Sequence, residues 1–202
     1  MAAPIDFYFD FSSPYGYFAS TRIDALAAKY GREVVWRPFL LGAAMKVTGG
    51  APLPGIPMKG DYARRDFARS AKFYGVDYKL PSAFPISSQA PARAFYWQNG
   101  KDPKRAKALA AALYRAYFVD DVNISNPEDT IAVCARFGLR PGEVRAAIND
   151  PAIKDLVKAE VDKAIARGAF GSPYIFVDGE AFWGADRLEQ IEKWLATGGW
   201  KY

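Results

Sequence analysis

The sequence predicts an α/β fold in which two α/β segments, one at each end of the chain, are separated by a large all-helical insertion. Three observations support this. The first 41 residues have the pattern strand, helix, strand. Residues 42–150 contain helical patterns and no strand of convincing length. From residue 151 the pattern is helix, hairpin, helix. The chain has 202 residues, half of them hydrophobic, and is long enough to bury a sizeable core.

The opening segment begins with apolar and aromatic residues over Ile5–Phe11, which predict a buried strand. Ser13 suits the capping position of a helix that runs over Pro14–Tyr30, because proline is favoured at the first helical position. Glu33–Leu41 predicts a second strand, disturbed by its proline. A strand–helix–strand unit implies that the two strands pair in parallel through a right-handed crossover.

The middle of the chain begins with residues 42–57, where glycine, proline and alanine predict a loop rather than an element. After this loop the apolar spacing becomes helical. The predicted helices are Asp61–Tyr74, Ala92–Asn99, Pro103–Phe118, Pro127–Phe137 and Pro141–Asn149.

The closing segment starts with a helix over Pro151–Arg167, whose apolar residues follow helical spacing. Two short strands, Tyr174–Val177 and Glu180–Trp183, flank the dipeptide Asp178–Gly179, which is typical of a two-residue hairpin turn. A last helix is predicted over Asp186–Thr197.

Taken in order, these elements are those of a thioredoxin-like domain split by roughly a hundred residues, far more than an ordinary loop. We therefore predict a discontinuous thioredoxin-like domain over residues 1–41 and 151–202, with a helical insertion domain over residues 42–150. The inserted helices should cover the open edge of a site, leaving a cleft between the two parts, where ligands tend to bind.

The composition excludes several kinds of chemistry. Cys134 is the only cysteine and there is no histidine, so the chain lacks a disulfide, a Cys-x-x-Cys pair and every catalytic arrangement built on histidine. The same absences predict that no zinc is bound. Any nucleophile must be activated in another way.

The net charge of +5 comes from basic residues scattered along helical stretches, which predicts no nucleic-acid partner but fits an anionic substrate. No window is long and apolar enough to span a membrane, and residues 1–11 lack the pattern of a signal peptide. We therefore expect a soluble, cytoplasmic protein without a membrane partner.

Three segments carry a family resemblance: DFSSPYGYF at Asp10–Phe18, KGDYARRDFARSAKFYGV at Lys59–Val76, and GSPYIFVDGEAFWGADRLEQIE at Gly171–Glu192. They resemble corresponding segments of the 2-hydroxychromene-2-carboxylate isomerase family, which belongs with kappa-class glutathione transferases and DsbA-like oxidoreductases. The resemblance covers nearly the whole chain in order. It implies glutathione as cofactor, a small aromatic carboxylate as substrate, and a homodimer.

Ser13 is the candidate catalytic residue. On its own it is an ordinary helix cap. A helix N-terminus nevertheless presents unpaired N–H groups that favour a thiolate, and no cysteine lies nearby, so the sulfur has to come from a ligand. The resemblance implies that this ligand is glutathione and that the Ser13 hydroxyl stabilises its thiolate. Ser12 is the alternative, but the family position is the residue directly before the proline.

Two further segments are candidates for binding the cofactor: Ser172–Pro173, before the hairpin, and residues 183–187, after it. Without the resemblance, the first segment is a turn and the second is the start of a helix. The resemblance implies a cis peptide before Pro173, which would let the Ser172 backbone pair with glutathione, whereas the Ser172 side chain is not expected to matter. N–H groups of the second segment would bind the γ-glutamyl carboxylate, and its aspartate would accept from the ammonium group. This segment comprises Trp183, Gly184, Ala185, Asp186 and Arg187.

Lys46 and Lys59 flank the glycine- and proline-rich loop, and a lone lysine is usually solvated. The resemblance implies that a lysine at about the position of Lys46, together with residues near Lys59, binds the substrate carboxylate. Ser88 and Arg93 are weaker candidates for binding substrate.

The resemblance implies glutathione-dependent isomerisation of 2-hydroxychromene-2-carboxylate to trans-o-hydroxybenzylidenepyruvate, a step in naphthalene-type aromatic breakdown. Two alternatives stay open. A kappa-like glutathione transferase would use the same cofactor site but release a conjugate. A non-catalytic binding module of thioredoxin fold would catalyse neither reaction.

Overall fold

The fold, seen in a computed structural model that describes residues 3–200, contains a four-stranded mixed sheet. The strands are β1 (Ile5–Phe9), β2 (Val34–Pro38), β3 (Tyr174–Val177) and β4 (Glu180–Trp183), and they lie in the order β2-β1-β3-β4. β1 pairs in parallel with β2 and antiparallel with β3, and β3 pairs antiparallel with β4. The two ends of the chain therefore meet in one sheet, which confirms the predicted thioredoxin-like α/β class.

Between β2 and β3 the described part of the chain contains helices and no strand, as predicted for the insertion. The position of the domain boundaries stays a prediction. The α-helices are α1 (Pro14–Ser20), α2 (Ile23–Ala28), α3 (Leu41–Thr48), α4 (Lys59–Tyr74), α5 (Gln89–Asn99), α6 (Pro103–Phe118), α7 (Pro127–Arg136), α8 (Pro141–Asn149), α9 (Pro151–Ala166) and α10 (Leu188–Thr197).

Aromatic side chains of β1 join the sheet to the inserted helices. Phe7 and Phe9 are fully buried and stack with their ring centroids 5.1 Å apart. Trp36 of β2 packs edge-on against both rings, and Tyr114 of α6 lies 5.6 Å from Phe9. Aromatic pairs in such geometries stabilise beyond their buried area. One continuous core therefore fixes the helices relative to the strand that leads into Ser13.

The predicted single helix over residues 14–30 is wrong, because α1 ends at Ser20 and α2 begins at Ile23. The hydroxyl of Ser20 donates to the Tyr17 carbonyl at 2.7 Å, and that of Thr21 donates to the Phe18 carbonyl at 2.8 Å. These bonds compete with the helical N–H groups for the same carbonyl oxygens, which favours a break.

The loop predicted over residues 42–57 is also partly wrong, because α3 occupies its first half. The Leu41 N–H donates to the Asp10 carboxylate at 2.7 Å and so fixes the start of this helix. Gly49 ends the helix in the left-handed conformation, with φ of 73°. Most of the glycine and proline residues of the predicted loop follow Gly49, and there the only regular structure before residue 58 is a short 3₁₀ turn, Leu53–Gly55.

The hairpin turn is confirmed. Asp178 and Gly179 have φ of 53° and 91°, the two positive angles that the favoured hairpin turn requires. The Asp178 carboxylate also accepts two hydrogen bonds from Arg32, at 2.7 and 3.2 Å, which ties the turn to the residues before β2.

Cys134 lies on α7 and is fully buried. Burial raises the pKa of its thiol to about 12. Within residues 3–200, none of the helices has the length and apolarity needed to cross a membrane.

Candidate functional site

Two adjacent depressions lie where α1 and α4 meet the loop before β3 and the segment after β4. The larger, about 460 Å³, is here called the polar cleft; the smaller, about 370 Å³, is called the apolar pocket. They share Tyr15 and Tyr62. The polar cleft is also lined by Asp66, Ser70, Tyr74, Ser172, Trp183, Gly184, Ala185, Asp186 and Arg187. The apolar pocket is also lined by Leu53, Met58, Lys59 and Ala63.

Ser13 caps α1. Its Oγ accepts from the Gly16 N–H at 3.0 Å and donates to the Ser172 carbonyl at 2.9 Å. The residue is 8% exposed and is not itself one of those that line the polar cleft, although Tyr15 and Ser172 on either side of it are. A hydroxyl has one proton to donate. To donate to a ligand, the Ser13 hydroxyl has to turn away from the Ser172 carbonyl.

The first turn of α1 leaves one further donor. Pro14 has no N–H, and the N–H groups of Gly16 and Tyr17 both bond to Ser13. The Tyr15 N–H donates to no residue in the described part of the chain. Because α1 has only seven residues, its dipole is small, and the donors at its start are this single N–H and the Ser13 hydroxyl.

The peptide bond between Ser172 and Pro173 is cis, as predicted. The Ser172 carbonyl is taken by Ser13, whereas its N–H has no hydrogen-bond partner within residues 3–200. The side chain is not idle, contrary to expectation, because its Oγ accepts from the Asp10 N–H at 2.9 Å. The Ser172 backbone therefore offers an unpaired N–H to an extended ligand, whereas its carbonyl oxygen already accepts one hydrogen bond.

The segment from Trp183 to Arg187 forms one wall of the polar cleft. The Gly184 N–H donates to the Pro173 carbonyl at 3.1 Å, which joins this wall to the cis-proline loop. Gly184 has φ of 119°, an angle that side-chain-bearing residues rarely adopt. Trp183 is 57% exposed, and its ring packs 4.8 Å from that of Phe170.

The predicted last helix begins later than expected, because Ala185–Arg187 forms a 3₁₀ turn before α10. The N–H groups of Ala185 and Asp186 donate to no other described residue. The carboxylate of Asp186 lies 3.5 Å from the guanidinium of Arg187, and both side chains are substantially exposed. This end of the cleft thus offers two free N–H donors, a carboxylate and a guanidinium.

Sequence reasoning missed a polar cluster at the boundary between the two depressions. The Tyr15 hydroxyl donates to the Asp66 carboxylate at 2.5 Å, and Arg69 donates to the same carboxylate. Burial opposes ionisation of Asp66, but the bonds from Tyr15 and Arg69 outweigh it and hold its pKa below the usual value. Burial, and then Asp66, raise the pKa of Tyr15, which stays a phenol. Asp66 gave no signal because charged residues on a helix usually belong to its solvated face.

The three candidates for binding substrate lie in different places. Lys59 lines the apolar pocket. Lys46 is exposed on α3 and lines neither depression. Ser88 is 4% exposed and donates to the Asp10 carboxylate at 2.7 Å, so its hydroxyl is committed to the core and does not face either depression. Arg93, a weaker candidate, bonds to Gln89 of its own helix at 2.9 Å.

The mixed sheet, the cis-proline loop and the capped start of α1 define a protein of thioredoxin fold. A family model described as a DSBA-like thioredoxin domain matches residues 4–196, and the chain belongs to this family.

More particular similarities extend over nearly the whole chain. It is 29% identical over 198 residues to 2-hydroxychromene-2-carboxylate isomerase of Sphingobium xenophagum, covering 96% of this chain and 99% of that protein. It is 25% identical over 205 residues to glutathione S-transferase kappa 2 of Caenorhabditis elegans, covering 95% and 91%. A solved structure of 2-hydroxychromene-2-carboxylate isomerase superposes with a TM-score of 0.86 at 27% identity, covering 97% and 95%.

Proposed function

We propose that the protein is a glutathione-dependent isomerase that interconverts 2-hydroxychromene-2-carboxylate and trans-o-hydroxybenzylidenepyruvate. The observation that carries the proposal is the adjacency of a polar cleft, walled by Ser172 beside Ser13, and an apolar pocket with one lysine on its wall. A polar tripeptide and an aromatic carboxylate would each find a matching surface there. The similarity to 2-hydroxychromene-2-carboxylate isomerases supports this choice of substrate.

Glutathione fits the residues that line the polar cleft. The unpaired N–H groups of Ala185 and Asp186 would hold the γ-glutamyl carboxylate, and the Asp186 carboxylate would hold its ammonium group. The Ser172 N–H would pair with the peptide backbone of the ligand. When bound, glutathione would supply a nucleophilic thiolate that is regenerated in each turnover.

Ser13 would act as a thiolate stabiliser rather than as a nucleophile. The chain has no histidine, and among the described residues the Ser13 hydroxyl donates to the Ser172 carbonyl rather than to a base, while its oxygen accepts from the Gly16 N–H. That anchor leaves the hydroxyl proton free to turn from the Ser172 carbonyl to a sulfur in the polar cleft. Hydrogen bonds to a charged group are about twice as strong as neutral ones, so the exchange favours the ionised thiol.

A turnover assay tests the proposal against its main alternative. With glutathione far below the substrate concentration, an isomerase converts all of the substrate and leaves the thiol titre unchanged. A kappa-like transferase, which the similarity to glutathione S-transferase kappa 2 favours, would consume one thiol for each product formed. Absence of any glutathione-dependent reaction would instead favour a binding module.

Replacing Lys59 with methionine should raise the KM for the carboxylate substrate about twofold to fivefold, because an exposed ion pair is worth at most ~1 kcal/mol. The matched control is Lys46→Met, which removes the same charge from outside both depressions. Steady-state kinetics at constant ionic strength measure both variants. Equal effects of the two substitutions would refute a specific contact with Lys59.

Replacing Asp186 with asparagine should weaken glutathione binding about tenfold, because a charge-assisted hydrogen bond to the ammonium group is lost. Titration calorimetry measures the Kd for glutathione and for an analogue that lacks the γ-glutamyl amino group. The analogue should bind both forms of the protein alike. An equal loss of affinity for both ligands would contradict the assignment. Asp162→Asn, on the exposed face of α9, is the control.

We further propose, from the resemblance, that the protein is a cytoplasmic homodimer.

A further inference from the structure

Asp10 lies directly after β1, three residues before Ser13, and is the only acidic residue among the nearly fully buried polar side chains of residues 3–200, at 4% exposed. Burial raises its pKa, although its hydrogen bonds act to lower it. A carboxyl group in this position is costly unless its oxygens are hydrogen-bonded. The bonds that it makes therefore indicate what it is for.

The side chain of Asp10 accepts three hydrogen bonds, and no described cation contacts it. Its Oδ1 accepts from the Ser12 N–H and from the Ser88 hydroxyl, each at 2.7 Å. Its Oδ2 accepts from the Leu41 N–H at 2.7 Å. One carboxyl group thus connects the turn before α1 with the starts of α5 and α3.

The backbone of Asp10 makes three more bonds to the same region. Its N–H donates to the Ser172 Oγ at 2.9 Å. Its carbonyl accepts from the Ser13 N–H at 2.9 Å and from the Tyr114 hydroxyl at 3.0 Å. Ser13 and Ser172, which bond to each other, are therefore both hydrogen-bonded to the backbone of Asp10.

An amide could not replace the carboxyl group. In one orientation its NH₂ would face the Leu41 N–H, and in the other it would face the Ser12 N–H. Each orientation brings two donors together and leaves a buried group unsatisfied. The position needs an acceptor at both oxygens, which only an aspartate of this length supplies.

We propose that Asp10 is a positioning residue, whose buried carboxyl group fixes the turn bearing Ser13 so that the Ser13 hydroxyl stays beside Ser172 at the wall of the polar cleft. The positional part of this inference is independent of the ligand. Its consequence for catalysis rests on the proposed use of glutathione.

The experiment compares Asp10→Asn and the milder Ser88→Ala with Thr130→Val. Thr130 is a suitable control because it is fully buried and its hydroxyl bonds to the Ile124 carbonyl at 2.6 Å, within the inserted helices. Hydrogen exchange is measured by peptide mass spectrometry for all three variants. In the Asp10 and Ser88 variants, residues 11–17, 41–44 and 88–92 should exchange at least about tenfold faster relative to the rest of the chain. Uniform acceleration, as expected for Thr130→Val, would overturn the proposal.

The second measurement is the thiol pKa of glutathione bound to each variant, from thiolate absorbance. Positioning by Asp10 predicts a higher thiol pKa in Asp10→Asn and Ser88→Ala, and no change in Thr130→Val, because the Ser13 donor is displaced. A lower thiol pKa would show that Asp10 acts through its negative charge, and would overturn the proposal. If wild-type protein does not bind glutathione, the proposed function fails, whereas the exchange pattern still decides the role of Asp10. Should Asp10→Asn not fold, Ser88→Ala gives the same two readouts.

Discussion

Replacing Ser13 with alanine should lower kcat for the glutathione-dependent reaction about 10- to 100-fold. The reason is the loss of a hydrogen bond to a charged sulfur, which is worth about 1.5–3 kcal/mol. The same substitution removes the cap of α1, which accepts from the Gly16 N–H, and should lower the free energy of unfolding by about 1 kcal/mol. Steady-state kinetics and denaturant unfolding measure the two effects separately.

Two controls isolate the role of the Ser13 hydroxyl. Asn126→Ala removes a comparable cap from α7, where the side chain accepts from the Glu128 N–H, and should affect stability alone. Ser12→Ala tests the neighbouring hydroxyl, whose oxygen accepts from the Ile86 N–H at 3.0 Å, and should leave most of the turnover intact. Full activity in Ser13→Ala would remove this residue from the mechanism.

Replacing Gly16 with alanine should destabilise the protein by about 1–3 kcal/mol and reduce activity, although alanine is the better helix former. An added Cβ would lie 2.7 Å from the Ser172 Oγ and 2.8 Å from the Tyr114 hydroxyl oxygen. Both atoms are already bonded to the Asp10 backbone, so neither is free to move away. Thermal unfolding measures the loss of stability, and steady-state kinetics with glutathione measure the loss of activity.

Gly142→Ala is the matched control for Gly16, because this glycine also lies in the first turns of a helix, α8, and an added Cβ would meet nothing within 4 Å. There the substitution should be neutral or stabilise by up to ~1 kcal/mol. If alanine at both positions gave the same change in stability, the packing around Ser172 would be looser than the distances indicate.

The parts of the fold that could be predicted from sequence are those that local chemistry determines. Prolines at the first helical position mark the start of α1, α6, α7, α8 and α9. Asp178 and Gly179 specify the hairpin turn without help from distant residues. The break between α1 and α2 could not be predicted in the same way. The hydroxyl groups of Ser20 and Thr21 can bond either to water or to a helix carbonyl, and the sequence does not show which. α3 depends on a bond from Leu41 to Asp10, which lies 31 positions earlier.

The candidate site shows the same division. Ser13 and Pro173 lie in short motifs, so the capped start of α1 and the cis peptide bond could be anticipated. Ser88 was a candidate for binding substrate, yet its hydroxyl donates to Asp10 across 78 positions. The Asp10 N–H reaches Ser172 across 162 positions. Pairings of this kind depend on the tertiary fold, and no periodicity in the sequence indicates them.

The burial of Cys134 has a practical consequence for a protein that would work in a thiol-rich solution. With a thiol pKa of about 12, the folded chain carries almost no thiolate at neutral pH, and only a thiolate attacks disulfides or alkylating reagents. We therefore expect the buried Cys134 of the folded protein not to react with oxidised glutathione. We expect modification of Cys134 to require the opening of α7. The rate of alkylation then reports the fraction of molecules in which this helix is transiently open.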